Sequence, residues 1–407
     1  MAAMKRMNQD DLRTHNLSVV LNAMLHADGP QSRADLAKET GLTKATMSLL
    51  VTLLINNRIV REGVPLVQSV YGRPSTPLLI NGGTMCGIGV QINTDGYGYL
   101  VLDLDGTVVA ERWISGDLQH ADPVAIFGKL DDMLVDQEAA LQSRGYTIAG
   151  AGLALPGLVT DTRQLLVARN LGWDNLDLTQ FALVDRLDAI AGNEANMSAI
   201  AQLPGYGALC AGEASLQPNE SFIYISTDIG IGGALVRDGK VVIGDRGFAG
   251  ELGHMSVQMN GPLCQCGRHG CLEVYAGRRS MVEAAGIALG EDGASDEAVR
   301  ELDRLWREGD PEVKEIIGLA FDAMVSAIVS TINLSDMDTV IIGGLWAQID
   351  DEFLGRMRDG IQDQVLARDV MNIRVLRANS TTRPALLGAA EVGLRRFIDN
   401  PLPFLQQ

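Results

Sequence analysis

The 407-residue sequence is poor in cysteine, in aromatics and in long apolar runs. Five cysteines, an odd number, exclude the disulfide framework that staples small secreted domains. No apolar run reaches the roughly 18 residues that span a bilayer. The N-terminal MAAMKRMNQD has no signal-peptide core, so the expectation is a cytoplasmic protein with no membrane partner. Aromatics are 5% while glycine reaches 45 residues, a balance that suits an α/β protein with many tight loops. With 46% hydrophobic and 21% charged residues the chain is globular, which excludes collagen-like, coiled-coil and mostly disordered classes. Its length allows two or three domains and a large core.

Positive charge is scarce as well, and the net charge of −18 argues at first against a nucleic-acid partner. Its distribution reverses that argument. Residues 1–80 carry nine Lys/Arg against six Asp/Glu, a net +3, which leaves −21 on residues 81–407. A mildly basic arm on an acidic body fits a small DNA-binding module joined to a domain that repels phosphate.

Within the arm, Leu17, Val20, Leu21, Met24 and Leu25 predict a helix over 12–26. Ser32 with Asp35 reads as a capping pair, and Gly41 as a tight turn. Thr43 caps a third helix to about Asn56, with Met47, Leu50, Val51 and Leu54 facing inward. Leu49 and Leu53 fall on the far side, where the next domain or a partner subunit would meet them. Two short helices about a glycine turn form a helix-turn-helix. Its second helix offers Lys44, Ala45, Thr46 and Ser48 near its N-terminus, and with Arg33 and Thr43 these are the expected contacts to double-stranded DNA. Arg58 to Glu62 reads as a strand, and Val64 to Ile80 as the rest of a wing tipped by Gly72-Arg73-Pro74, where Arg73 suits a minor groove. A three-helix packing module with no DNA role has the same local pattern.

From Gly87 onward strands and glycine turns alternate in two sheet-and-helix units, the second beginning near residue 205. The sharpest signal is His254 followed by Cys264, Cys266 and Cys271, with Gly267 and Gly270 between the thiols. Three thiolates and an imidazole complete a tetrahedral set for one structural Zn²⁺ per chain, with no open coordination position. His269 competes with His254 for the fourth place. Cys86 and Cys210 stand alone and read as buried small hydrophobes.

Together, Gly250-Glu251-Leu252-Gly253-His254, the CQCGRHGCLE run ending at Glu273, LALPGLV and NEAN resemble the ROK family of repressors, open reading frames and kinases. The resemblance covers nearly the whole chain and points to the repressor branch. It implies a winged helix-turn-helix over 1–80 and two actin-like, hexokinase-type α/β domains over 81–204 and 205–383. A C-terminal helix at 384–400 is expected to pack back on the first of them. It also implies zinc on the His and three Cys, and sugar contacts at Asn170, Asn193, Glu194, Glu251, His254 and Glu273. Carboxylates and amides suit a ring of vicinal hydroxyls. Trp173 either stacks on a sugar face or belongs to the core.

The kinase branch carries an Asp-x-Gly-Gly-Thr-Lys turn, and this sequence departs from it. Gln91 stands in place of the Asp, and Asn93-Thr94-Asp95 in place of the glycines and threonine. Asp95 would set a negative charge beside a phosphate. Glu194 replaces the kinases' catalytic Asp, a shift of about 1 Å in the carboxylate. The second turn, Gly230-Ile231-Gly232-Gly233, survives. The expectation is therefore a sugar-responsive transcriptional regulator, most simply a repressor, acting as a homodimer or homotetramer and not as an enzyme. The alternative is an ATP-dependent sugar kinase with a fused DNA module.

Overall fold

The computed structural model describes residues 8–27, 29–64, 76–204, 216–227, 229–288, 296–349, 351–379 and 383–406. Arg73 with the rest of the expected wing tip, and Cys210, lie outside the described residues.

Local signals build the N-terminal head. Asn8 and Asp11 form a capping box on the first helix, Gln9–His26, which begins three residues before the predicted start. Ser32 and Asp35 form the expected box on Arg33–Thr40, and Gly41 ends that helix in the left-handed region at φ 71°. Thr43 caps Lys44–Asn56. The strands Gln31–Ser32, Pro77–Ile80 and Val60–Glu62 make a three-stranded antiparallel sheet in that order, completing a winged-helix arrangement.

The first lobe of the body holds a five-stranded sheet in the order Ile190–Asn193, Thr147–Leu155, Met85–Asn93, Gly96–Asp103, Val108–Ser115. Pro123–Ser143 covers one face through Phe127, Leu130 and Leu134. The C-terminal helix Pro384–Asp399 covers the other. Alternate glycines seat it: a Cβ on Gly89 would stand 2.1 Å from the Leu386 carbonyl, and one on Gly152 2.3 Å from that of Ala389. On its flank lies the helix Glu194–Ile200, which approaches so closely that a Cβ on Gly388 would meet the Met197 carbonyl at 1.8 Å.

The second lobe repeats the plan. Its strands run Lys240–Val241, Ile231–Arg237, Phe222–Thr227, Thr339–Gly344, Arg374–Arg377. The helix Pro311–Ser335 crosses its core. By length and composition this helix is apolar enough to span a membrane, although no uninterrupted run announces it. Its apolar face, including Ile317, Met324, Ile328 and Ile332, is buried against the sheet residues Ile223, Val340 and Ile342.

The head does not hang free. Leu17, Leu21, Met47 and Leu54 share one core with Leu100 and Leu102 of the first lobe and with Leu386, Leu394 and Phe397 of the C-terminal helix. Arg395 donates to Asn22 at 2.8 Å. The tail after this helix clasps the third head helix: Asn57 donates to the Gln406 carbonyl at 3.0 Å and accepts from its N–H at 2.7 Å. This shared core also places the two leucines that looked alike in sequence. Leu53 is buried in it, whereas Leu49 remains 74% exposed.

Glu391 of the C-terminal helix is fully buried, and neither carboxyl oxygen has a hydrogen-bond partner among the described residues. Burial pushes its pKa well above the ordinary carboxyl range. The side chain is therefore neutral in the fold, while in the unfolded chain it ionises near pH 4–5. A raised folded pKa means stability that is full below the unfolded value and lost as pH rises toward the folded one. Glu391→Leu is accordingly expected to stabilise the protein, on the order of 2 kcal/mol at neutral pH and much less in acid. Thermal melts of both proteins at the two pH values check this, and a variant destabilised at neutral pH would contradict it.

Candidate functional sites

His254, Cys264, Cys266 and Cys271 converge, with their four ligand atoms all within 4.8 Å of one another. Cys264 Sγ lies 3.7 Å from His254 Nδ1, and the thiols of Cys266 and Cys271 are 3.6 Å apart. Metal–sulfur bonds of about 2.3 Å give tetrahedral edges near ~3.8 Å, so this donor set fits a metal ion. The loop closes tightly. Gly267 and Gly270 have φ of 88° and 66°, and a Cβ on Gly270 would lie 1.7 Å from the Gln258 carbonyl. Burial, reinforced by the neighbouring thiols, pushes Cys271 up to about 12. Burial pushes Cys264 up as well, whereas for Cys266 burial is outweighed by hydrogen bonds from the Arg268 backbone and the neighbouring thiols, which pull it down; a bound metal draws the remaining protons off. The competition left open in sequence resolves to His254, since His269 is exposed with Nδ1 3.0 Å from the Gly261 carbonyl.

Two short segments place carboxylates beside this centre. Glu251 immediately precedes the 3-10 turn Leu252–His254, and Glu273 opens the helix Glu273–Ala276 two residues after Cys271. Surrounding protein and the Glu273 charge push the Glu251 carboxyl up, while His254 opposes them, although the side chain keeps access to solvent. Glu273 Oε2 accepts from the Ile231 N–H at 3.1 Å. A Cβ on Gly230 would stand 2.2 Å from that same oxygen. Gly232 and Gly233, read in the sequence as part of a turn, lie in the strand Ile231–Arg237, and with Gly230 before it they are the seat of Glu273 and of the metal-bearing turn.

The same strand meets the first lobe. A Cβ on Gly232 would touch Ala195 at 2.9 Å, and Asn193 and Glu194 stand immediately before Ala195. Asn193 accepts from the Ala195 N–H at 2.7 Å and donates to the Gly157 carbonyl at 2.9 Å. One amide proton and one lone pair remain for a hydroxyl. The segments that carry Asn193 and Glu194, Glu251 and His254, and Glu273 thus all pack against Gly230 and the start of the strand Ile231–Arg237. Asn170 is exposed on the turn after Ala168 and makes no hydrogen bond with described residues, so these contacts do not tie it to the group. Trp173 is core: it is buried, and its Nε1 donates to the Ala121 carbonyl at 2.7 Å. Cys86 is buried too, with its thiol pushed up to about 12 by burial, and is inert.

In the turn aligned with the kinases' phosphate loop, Gln91 is buried with its carbonyl oxygen unpartnered among the described residues. Asp95 lies 3.5 Å from the Arg383 guanidinium, which stacks 3.6 Å above the Trp113 ring. A carboxylate–guanidinium pair thus stands beside this turn. Nothing local in the sequence joins residue 95 to residue 383.

On the head, Thr43, Lys44, Ala45 and Ser48 are exposed on the outer face of the third helix. Thr46 is half-buried, and its hydroxyl pairs with that of Thr43 at 2.9 Å, so the cap already engages this expected base reader. Arg33 pairs with Glu62 at 2.6 Å across to the small sheet. Leu49, expected on the far side from the head core, and Thr52 complete the exposed face.

Residues 87–395 match the ROK family. The xylose repressor of Bacillus subtilis is 26% identical over 393 residues, covering 96% of this chain and 98% of the relative. The fold is shared with the crystal structure of a ROK family transcriptional regulator, a homologue of the E. coli MLC protein. That likeness has a TM-score of 0.75 at 23% identity and covers 97% of this chain and 98% of the other. The ROK hexokinase of Thermus thermophilus shares it over 75% of this chain and 97% of its own, with a TM-score of 0.59 at 24% identity.

Proposed function

The chain belongs to the ROK family, and from that premise we propose that it is a sugar-responsive transcriptional repressor rather than a kinase. The observation that carries this reading is the union of a winged-helix head with a sugar-kinase-like body whose first phosphate turn lacks the glycine pair. The likeness to the xylose repressor supports it, because that likeness spans head and body alike. We assign residues 1–80 to DNA binding, 81–204 with the C-terminal helix to the first lobe, and 205–383 to the second. Two or four copies would read paired half-sites, in keeping with one helix-turn-helix per chain.

In this reading His254, Cys264, Cys266 and Cys271 hold one zinc ion, which supplies a fixed structural clamp when bound. His254 turns one ring nitrogen toward the cluster and keeps the other for a sugar hydroxyl. Glu251 and Glu273 then accept from neighbouring hydroxyls, and Asn193 and Glu194 meet the sugar from the opposite lobe. Asn170 would join them only once the cleft closes. A sugar gripped from both sides favours closure. Because the head shares its core with the first lobe, closure of each chain resets the distance between paired heads, and half-site spacing no longer matches.

Xylose is the first effector to try, given the relative's name, with other small aldoses beside it. The test is titration of a DNA duplex, selected by the protein from random sequence, with and without the sugar. Wild type is expected to lose affinity by about 5–150-fold. Glu273→Ala is expected to bind the duplex normally without sugar and to show no response. If this variant responds at the wild-type sugar concentration, the cleft assignment is wrong. ATP-dependent turnover of the sugar would overturn the regulator reading.

A further inference from the structure

Leu49 stands out on the head. Along Lys44–Asn56 the leucines at 50, 53 and 54 are buried, yet Leu49 is 74% exposed. It shares the outer face with Lys44, Ala45, Ser48 and Thr52, and the helix carries no carboxylate at all. Ala45 and Leu49 are four residues apart, so they form an apolar ridge about one helical turn long. Ser48 and Thr52 form a parallel ridge of hydroxyls. The opposite side of the helix is held in the core shared with the C-terminal helix, so Leu49 has only the outward direction open to it.

Resting on the DNA-binding reading, we propose that Leu49 is a specificity-determining residue which reads the 5-methyl group of a thymine in the major groove, with Ala45 flanking the same contact. The chemistry fits that occupant. The thymine methyl is the one apolar feature that a base pair presents in that groove. The absence of acidic side chains and the cation of Lys44 let the helix approach phosphate. A hydroxyl ridge beside an apolar ridge matches adjacent hydrogen-bonding and methyl edges.

The experiment enriches duplexes from a random-sequence library with the full-length protein, as wild type and as Leu49→Ala. Wild type is expected to select thymine at one position of each half-site, where Leu49→Ala accepts any base. That thymine is then replaced by deoxyuridine, which keeps every hydrogen-bonding group and lacks only the methyl. Wild type is expected to lose about fivefold in affinity. Leu49→Ala should bind the two duplexes equally, and Leu49→Met should regain the discrimination. Unchanged melting temperatures would show that the exposed position leaves the fold alone.

An equal loss in wild type and Leu49→Ala would mean that another residue reads the methyl, and no loss in wild type would mean that none is read. A change of sedimenting mass for Leu49→Ala without DNA would make Leu49 a subunit contact instead. If wild type enriches no sequence, the DNA-binding reading itself fails, which separates the two hypotheses.

Discussion

Cys271→Ser is expected to empty the metal centre and to silence the sugar response while sugar-free DNA binding persists. Cys271 is fully buried at the base of the loop, and its backbone bridges to Ser256. Serine keeps the size but its hydroxyl does not ionise near neutral pH, so one of four anionic or imidazole donors is lost. Structural zinc sites of this kind contribute about 10–16 kcal/mol to the folding of small metal domains, so losing a ligand leaves little to hold residues 254–271 in register. Glu273 follows two residues later and loses its anchor on Ile231, and with it the carboxylate cluster loses its geometry. The head core contains none of these residues, so its melting and its grip on DNA should be spared. Elemental analysis should fall from about one zinc per chain to none, and calorimetry should show no sugar binding. A variant that loses its metal yet binds sugar as wild type does would show the two sites to be independent.

Phe397→Ala is expected to cost the most stability, about 3–5 kcal/mol, and to weaken head and first lobe together. The ring is fully buried where the two meet, edge-on to Phe404 with centroids 5.7 Å apart. The core it belongs to also holds Leu17, Leu21 and Met47 of the head and Leu394 and Leu100 of the body. Truncation opens a cavity that neither part can fill alone, because each is tethered to its own sheet or helices. Thermal unfolding followed by a probe in the head and by overall ellipticity should shift by the same amount. A head that melts at its wild-type temperature in this variant would show that it folds independently of the C-terminal helix.

What was legible in the sequence is what short-range chemistry writes there. The Ser32–Asp35 capping box, the turn at Gly41 and the Cys264, Cys266, Cys271 spacing each depend on residues a few positions apart, and each has its expected form. The helix Pro384–Asp399 was legible as a helix packing back on the first lobe, but its reach into the head was not. Gly87, Gly89, Gly150 and Gly152 are strand residues whose missing side chains admit a helix some 240 to 300 residues later, a role that no local pattern announces. Leu49 and Leu53 gave the same signal and have opposite fates, because the cover over Leu53 comes from elements whose position no local pattern encodes. Asp95 with Arg383 is of the same kind. The expected site residues were named for their chemistry-bearing side chains, whereas the packing roles that escaped belong to glycines and leucines, which have none.

The bond between Asn57 and Gln406 spans 349 residues of chain, and this sets an order of events during synthesis. The head leaves the ribosome first, but Leu386, Leu394, Phe397 and Leu405, which floor its core, are made last. At about 5–20 residues per second the nascent head waits roughly 20–70 s for them. Until then its apolar underside is open and its recognition helix unsupported. A chain cut short before residue 386 lacks this floor and is expected to melt at a lower temperature in the head and to bind DNA more weakly than the full chain.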